Sequence, residues 1–372
     1  MIDLIQHRID SLRKRLHAQN LDAFLVLSEE NRRYLSGFTG EDTQFDESAG
    51  VLIITGDALI LATDSRYDLQ AKHEATLYEV ICYRKGLAPE LPEILKKLSV
   101  SRMGFESRRM SVALFEKIRH ACDTEKVGVE LVPVPDMMDH LRMIKDDTEI
   151  KAIREAAAIA ESAFLSMLNI LRPNMTETEA AWELEKNMRA AGAQAPSFPV
   201  IAAFGRNSAL PHAIPGNHRL VPGQPLLFDW GARLNGYCSD TTRTIISGAS
   251  EEFNKIFTIV YDAQQMTIDA IRPGIRSKQV DDMARGHIAQ KGFGDYFGHG
   301  LGHGIGMAVH EAPSVSSLAE RDMALAENMV FTVEPGIYLP DWGGIRLENM
   351  VRVTADGAEV LNRLPVKIDF FG

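Results

Sequence analysis

Glycine occupies every second position of the segment GHGLGHGIG at residues 298–306. A glycine inside a helix costs about 1 kcal/mol relative to alanine, so a run of this kind excludes a helix. The segment is expected to be extended or looped, and its bare backbone lets neighbouring strands approach closely. His299 and His303 stand in this segment and His310 follows it. Three imidazoles so near one another indicate a functional site.

The composition is that of a globular protein, because 45% of the 372 residues are apolar and 24% are charged. Length alone predicts two domains. The net charge of −11 argues against nucleic acid as a partner, since a phosphate-binding surface needs an excess of basic residues. Three cysteines without C-x-x-C spacing argue against disulfides and thiolate metal sites. Because no segment has the pattern of a signal peptide or a membrane span, we expect a cytoplasmic protein without a membrane partner.

The chain is predicted to form two domains joined by a linker. Residues 1–135 alternate helical and extended patterns, which predicts an α/β domain. Residues 136–147 form the linker, since prolines end the last strand and Asp146-x-x-Glu149 has the spacing of a capping box. Residues 148–372 form an α+β domain in which a helix pair and strands occur twice, as in two similar halves. Its predicted helices cover residues 149–171, 176–191, 251–271 and 277–290.

Two aspartates flank a predicted hairpin. Asn235-Gly236 is the strongest two-residue turn signal, and a type I′ turn there places Asp229 opposite Thr242. Asp240 then lies diagonally across on the same face, so two carboxylates converge. Without a cation, two buried carboxylates this close force one of them to bind a proton. Taken alone, such a pair is more often salt-bridged or solvent-facing, and the case for a metal depends on the other motifs.

Glu334 and Glu348 repeat this arrangement in two later strand-like runs. Both stand next to apolar residues, where an unpaired carboxylate is costly, and Arg346 shares the face of Glu348. Together with the two aspartates and one histidine, they form an oxygen-rich donor set suited to two divalent cations. The four negative charges balance two dications. Five protein ligands also leave coordination positions for water, whose pKa the metals lower.

In this order, the motifs resemble those of the methionine aminopeptidase and prolidase superfamily of pita-bread metallopeptidases. The resemblance implies an α+β pita-bread catalytic domain preceded by a smaller α/β N-terminal domain of the creatinase/prolidase type. It also implies two divalent cations per subunit, with manganese expected first and cobalt, zinc or iron as alternatives. Five metal ligands follow from the resemblance: Asp229 in FDWGARLNGY, Asp240 in CSDTTRT, His303 in HGLGHGIG, Glu334 in TVEPGIY and Glu348 in GIRLENM.

The N-terminal part is similar to that of short bacterial Xaa-Pro aminopeptidases, through LSGFTG at residues 35–40 and ATDSRY at residues 62–67. This implies an exopeptidase that removes the first residue of peptides with proline in second position. An Xaa-Pro dipeptidase, or prolidase, is the nearest alternative. A non-catalytic peptide-binding pita-bread module is a remote one, and creatinase-like amidinohydrolases are another. The complete ligand set argues against both of these.

The resemblance also implies roles for residues around the metals. Glu334 is expected to move a proton and His310 to stabilise the developing oxyanion, with His212 as a further catalytic residue on the substrate side. His299 is expected to border the proline pocket. Arg346 and Tyr338 are expected to bind substrate or order the site, with a salt bridge and strand packing as their structural alternatives.

A homodimer is expected from the family, with the N-terminal domain taking part in dimerisation and shaping the cleft. Residues 41–48 read EDTQFDES where relatives have a short link rich in serine and glycine. An acidic run of this kind is expected to be a solvated loop. The alternative is that it faces the active site of a neighbouring subunit.

Overall fold

The computed structural model describes residues 2–42, 44 and 47–370. The chain divides into two compact units, Met1–Leu141 and Arg142–Gly372. Within the described residues, no helix is long and apolar enough to cross a membrane.

The first unit is built on a six-stranded sheet. Its strands are β1 (Ala23–Val26), β2 (Val51–Thr55), β3 (Leu59–Thr63), β4 (Glu79–Cys82), β5 (Arg102–Glu106) and β6 (Glu130–Val134). They lie in the order β4-β3-β2-β1-β5-β6, and all run parallel to one another except β2, which is inserted antiparallel between β1 and β3. The helices are α1 (Ile2–Ala18), α2 (Glu29–Ser36), α3 (Asp68–Glu74), α4 (Leu87–Lys97) and α5 (Val112–Thr124), and α6 (Asp139–Arg142) spans the boundary between the units.

The acidic segment at residues 41–48 is only partly a solvated loop. Asp42 forms an ion pair with the fully buried Arg32 at 2.8 Å, and its own side chain is buried. Glu41 and Glu47 are exposed, as expected of solvated acids. A periodic or compositional pattern does not reveal a buried partner ten residues away, which is why the segment was expected to face water throughout. Three further positions of the segment, Thr43, Phe45 and Asp46, lie outside the described residues.

The second unit repeats a helix pair followed by strands, as predicted. The helices are α7 (Asp147–Leu168), α8 (Glu177–Ala190), α9 (Glu251–Ala270) and α10 (Ser277–Gln290). The strands after the first pair are β7 (Ala195–Pro196), β8 (Ile201–Phe204), β9 (Pro225–Trp230), β10 (Ala232–Leu234), β11 (Tyr237–Cys238) and β12 (Thr241–Ile246). Those after the second pair are β13 (Gly302–Gly304), β14 (Glu311–Val315), β15 (Val330–Val333), β16 (Gly336–Leu339), β17 (Gly343–Arg346), β18 (Asn349–Val353) and β19 (Ala358–Val360).

Each helix pair covers one group of strands with its apolar face. Helices α7 and α8 pack on β8 and β9 in one apolar core, where the ring of Phe164 stacks on Trp230 with centroids 4.2 Å apart. Helices α9 and α10 pack on β15 and β18 in a second core. Capping boxes at Asp146 and Thr176 begin α7 and α8. In each, the capping side chain accepts a hydrogen bond from the backbone N–H of the glutamate three residues later, and that glutamate side chain accepts one from the backbone N–H of the capping residue.

Two antiparallel arrangements carry the acidic residues. In the first, β9 pairs with β12 so that Asp229 lies opposite Thr242, which confirms the predicted register. The turn between them contains Asn235 and Gly236, both with positive φ as in a type I′ turn. In the second, the ladder of β15 with β18 and that of β16 with β17 continue one another. The interruption between these ladders is where Glu334 and Glu348 stand.

Candidate metal centre and active site

One cavity of the second unit, about 580 Å³ in volume, collects most of the candidate site residues. All five predicted metal ligands line it, together with His212, His299, His310 and Arg346. Part of its wall is apolar and is formed by Phe198, Val200, Ile201, Ile214 and Val309. Tyr338 is not among the lining residues and stands behind the wall. The sequence motifs therefore supplied the polar residues that line the cavity. Its apolar lining residues come from segments without a recognisable motif.

The five acidic and histidine ligand candidates come from five different places in the fold. Asp229 lies in β9 and Asp240 immediately precedes β12, whereas His303 lies in β13. Glu334 and Glu348 stand between strands. One ligand atom from each of Asp240, His303 and Glu348 lies within 4.8 Å of the others, a spacing that suits one bound cation. The Nε2 of His303 also lies 3.4 Å from an oxygen of Glu334.

Arg346 joins the two remaining acids to this group. Its guanidinium donates a 2.7 Å hydrogen bond to the Oδ2 of Asp229 and lies 3.9 Å from the Oε2 of Glu334. Burial disfavours the charged guanidinium, but the contacts with Tyr338 and with the site carboxylates outweigh burial and raise the pKa of Arg346 above its ordinary value. Arg346 therefore stays cationic, and one positive charge faces four carboxyl groups.

The pKa values report an excess of negative charge. Burial, with the nearby charges of Glu348 and Asp229, raises the pKa of Asp240 well above its ordinary value. Burial and the charges of Glu334 and Asp229 do the same to Glu348. Burial also raises the pKa of Glu334 to about 8, although Arg346 opposes the shift. Desolvated carboxyl groups that repel one another bind protons unless cations neutralise them.

The donor set fits divalent cations in a second respect. The Oδ1 atoms of Asp229 and Asp240 are buried and lack a hydrogen-bond partner among the described residues. Buried carboxylate oxygens are normally hydrogen-bonded, and those that are not call for a ligand. Oxygen and imidazole donors of this kind suit manganese, cobalt, iron or zinc. The residues therefore fit the metal centre that the sequence motifs imply.

Glycines allow the strand of His303 to sit against its neighbours. A Cβ at Gly302 would lie 1.9 Å from the carbonyl oxygen of Thr332, and one at Gly304 would lie 2.2 Å from that of Ala312. Both distances are far inside van der Waals contact, so these positions accept only glycine. The close backbone approach predicted for this segment is confirmed, and it sets the depth of the His303 imidazole in the cavity.

Two histidines of the cavity, His303 and His310, have pKa values below the ordinary value of an imidazole. Burial, with the charge of His310, lowers the pKa of His303 to about 4. Burial also lowers the pKa of His310, whose ring centroid lies 4.1 Å from that of His303. A neutral imidazole has one nitrogen lone pair for a cation, so His303 is in the protonation state that a metal ligand requires.

His299 is held by Tyr338. Its Nε2 lies 2.8 Å from the Tyr338 hydroxyl, and its Nδ1 lies 2.8 Å from the carbonyl oxygen of Gly300. Because Arg346 donates to the same hydroxyl, the tyrosine proton points to Nε2 and the histidine proton resides on Nδ1. Burial, with the charge of Arg346, lowers the pKa of His299 to about 4, which matches this neutral tautomer.

Two threonines support the carboxylates, and the sequence analysis did not assign either of them to the site. Thr242 donates a 2.6 Å hydrogen bond to Glu348 and accepts one from Arg346. Thr332 donates to Glu334 and accepts from the backbone N–H of His303. Thr332 is two residues from Glu334 and Thr242 two from Asp240, so the period-2 alternation of strands was the signal available.

Comparison with known proteins identifies the family. Residues 151–355 match the model of metallopeptidase family M24, and residues 8–144 match that of the creatinase/prolidase N-terminal domain. A solved Xaa-Pro dipeptidase from Bacillus anthracis superposes with a TM-score of 0.91 at 36% identity, covering 98% of this chain and 99% of that one. An X-Pro aminopeptidase from Thermotoga maritima superposes with a TM-score of 0.85 at 37% identity, covering 95% and 99%.

The curated Xaa-Pro dipeptidase of Pyrococcus horikoshii is 33% identical over 365 residues, which are 97% of this chain and 98% of that protein. Both family models and the solved relatives confirm the predicted fold class, with helices and sheets mixed in each unit. The chain belongs to metallopeptidase family M24, with a creatinase/prolidase-type N-terminal domain followed in the sequence by an α+β pita-bread catalytic domain.

Proposed function

We propose that this chain is a metal-dependent peptidase that hydrolyses the bond before a proline residue. The observation that carries the proposal is the convergence of four carboxyl groups and His303 on one cavity wall, with His310 and His212 beside them. The names of the solved relatives, an Xaa-Pro dipeptidase and an X-Pro aminopeptidase, support the same substrate class.

The proposed metal ligands are Asp229, Asp240, His303, Glu334 and Glu348, which together hold two divalent cations, with manganese expected first. When bound, the cations supply Lewis-acid activation of water and of the scissile carbonyl group. The protein contributes a fixed donor set, in which Thr242 and Thr332 orient Glu348 and Glu334 through hydrogen bonds.

Glu334 is the proposed proton carrier. Its carboxyl group lies between His303 and Arg346 and lines the cavity proposed to bind the substrate. A carboxylate within reach of the reacting water can accept its proton and return it to the leaving group. Glu334 takes the proton of the attacking water and delivers it to the leaving proline nitrogen.

His310 is the proposed donor to the carbonyl oxygen of the scissile bond. Its imidazole is exposed to the cavity and its pKa is lowered, so at neutral pH one ring nitrogen carries a proton that it can donate where negative charge develops. His212 lines the same cavity from the loop before β9 and is proposed to contact the substrate from that side. His299, held by Tyr338, is proposed to border the proline ring.

Within the Xaa-Pro class, we place the dipeptidase first and the aminopeptidase second. The sequence motifs alone rank them in the opposite order. The dipeptidase is favoured because the Bacillus anthracis and Pyrococcus horikoshii relatives both carry that name. The aminopeptidase remains the second candidate because the Thermotoga maritima relative, which is 37% identical, is named an X-Pro aminopeptidase.

A comparison of Ala-Pro with Ala-Pro-Ala in the presence of manganese tests both levels of the proposal. A dipeptidase hydrolyses Ala-Pro with a kcat/KM at least about tenfold higher, whereas an aminopeptidase shows the reverse ratio. Ala-Ala and Ala-Ala-Ala serve as controls for the proline requirement. Binding of these peptides without any cleavage would contradict the proposal and favour the non-catalytic module instead.

We also propose a homodimer in the cytoplasm, with the N-terminal domain, residues 1–135, contributing to dimerisation and to the cleft. The linker of residues 136–147 and the catalytic domain of residues 148–372 complete this proposed organisation. Analytical ultracentrifugation of the full chain and of a chain beginning at residue 136 tests the dimer. The same number of subunits per particle in both samples would contradict a dimerising role for the N-terminal domain.

A further inference from the structure

Glu334 and Glu348 are opposite each other in one interrupted antiparallel ladder. On one side of the interruption Val333 pairs with Asn349, and on the other side Gly336 pairs with Arg346. The two ladders keep the same register, which leaves Glu334 facing Glu348. The backbone N–H of each glutamate bonds outward, to the carbonyls of Leu301 and Thr242 respectively. They therefore form a non-hydrogen-bonded pair, the type in which opposed side chains come closest.

The neighbouring pair in this ladder, Pro335 and Leu347, has one hydrogen bond instead of two, because proline has no N–H group. Leu347 donates its N–H to the carbonyl of Pro335. In a hydrogen-bonded antiparallel pair the second residue returns the bond, but proline has no N–H to donate. The carbonyl of Leu347 consequently needs a donor from outside the ladder.

Gln264 supplies this donor from helix α9. Its amide nitrogen lies 2.8 Å from the carbonyl oxygen of Leu347 and 3.0 Å from that of Val333. These two residues immediately precede Glu348 and Glu334. The side chain is fully buried, and its amide nitrogen carries two N–H groups, one for each of these carbonyls. One amide thus ties together the backbones that carry both glutamates.

We infer that Gln264 is a positioning residue that sets the separation of Glu334 and Glu348 for metal binding. This inference rests on the proposed function of the cavity, since it assigns Gln264 to the same metal centre. Gln264 does not line the cavity and acts only through the two backbones. Residues that orient metal ligands in this indirect way commonly change metal affinity by roughly 10- to 100-fold when replaced.

The test replaces Gln264 by Met, which keeps the length of the side chain and removes both donors. Thr267→Val is the matched control, because Thr267 is equally buried on α9 but bonds only to Ala263 of its own helix. Binding of Co²⁺ to the full chain is measured by equilibrium dialysis, and the visible Co²⁺ spectrum reports the ligand arrangement. A folding check by circular dichroism accompanies each variant.

We expect Gln264→Met to lower the Co²⁺ affinity at least about tenfold and to alter the spectrum, with Thr267→Val unchanged. If Gln264→Met does not fold, Gln264→Asn replaces it, since its amide is one methylene too short to reach both strands. A folded variant at this position with the affinity and spectrum of the unaltered chain would overturn the inference. Peptide cleavage is assayed separately, so that an unaltered chain that binds Co²⁺ but cleaves no Xaa-Pro peptide contradicts the proposed function alone.

Discussion

The hydroxyl of Tyr338 lies 2.8 Å from the Nε2 of His299, although only His299 lines the cavity. Arg346 donates to the same hydroxyl at 2.9 Å. The hydroxyl therefore links the guanidinium of Arg346 to the imidazole of His299 through two consecutive hydrogen bonds. We therefore propose that Tyr338 positions His299, and Arg346 connects this pair to Asp229 through a further hydrogen bond.

Tyr338→Phe is expected to lower kcat/KM for Ala-Pro about tenfold, because His299 loses the hydrogen bond that orients its imidazole. The ring volume is kept, but the melting temperature should also fall, because a buried hydrogen bond lost on one side costs about 1–3 kcal/mol of stability. Tyr237→Phe is the control, since the Tyr237 hydroxyl is also buried but bonds to Glu149 outside the cavity. Equal kinetic effects of the two substitutions would contradict the positioning role of Tyr338.

His310→Ala is expected to lower kcat by about 100-fold or more, which is the usual effect of removing one donor to a developing oxyanion. His310 is not among the proposed ligands, so manganese content by elemental analysis should stay the same. His120→Ala, at an exposed position of α5, controls for the loss of an imidazole elsewhere. An unchanged kcat would show that His310 is not the donor.

Gly302→Ala is expected to lower both the melting temperature and the manganese affinity. The added Cβ would stand 1.9 Å from the Thr332 carbonyl oxygen, so the strand that carries His303 must move. Gly298→Ala is the control in the same glycine-rich segment, because a Cβ there meets nothing within 4 Å. A Gly302→Ala protein as stable and as metal-binding as the Gly298→Ala protein would contradict the close-packing account.

Glu311 predicts a dependence of stability on pH. Burial opposes its ionisation, but Arg142 and Lys145 outweigh burial and hold the pKa of Glu311 below its ordinary value. A carboxyl group with a lowered pKa in the folded state stabilises the protein above its unfolded pKa of about 4.3, and this contribution is lost as the pH falls through the folded value.

Glu311→Gln should therefore lower the melting temperature at pH 7, and the difference from the unaltered chain should shrink as the pH falls below about 4.3. Breaking a buried ion pair costs about 3 kcal/mol, whereas the half-exposed Glu359, paired with Arg352, should matter by less than about 1 kcal/mol. Glu359→Gln is accordingly the control. A difference for Glu311→Gln that is constant from pH 7 to pH 3 would contradict this interpretation.

The sequence was most informative where the determinants are local. The capping box at Asp146 and the turn at Asn235-Gly236 each involve residues a few positions apart, and the structure has them as predicted. The pairing of Asp229 with Thr242 followed from the turn, because a hairpin register is set by its loop.

The remainder depended on contacts between distant segments. The ion pair of Asp42 with Arg32 is produced by tertiary packing, which a compositional pattern does not encode. The amide of Gln264 reaches strands more than 60 residues further along the chain, so its role appears only once α9 is placed on β15 and β17. The resemblance implied that Tyr338 binds substrate or orders the site, whereas its contact with His299 behind the cavity wall depends on the packing of segments 39 residues apart.

The central claim is that Asp229, Asp240, His303, Glu334 and Glu348 jointly bind a pair of divalent cations. The most direct test is an anomalous difference map, recorded at the manganese absorption edge, from crystals soaked in Mn²⁺. We predict two peaks per chain, each within bonding distance of oxygen or imidazole atoms from these five residues. Peaks located elsewhere, or a cavity without any anomalous signal at saturating manganese, would contradict the account.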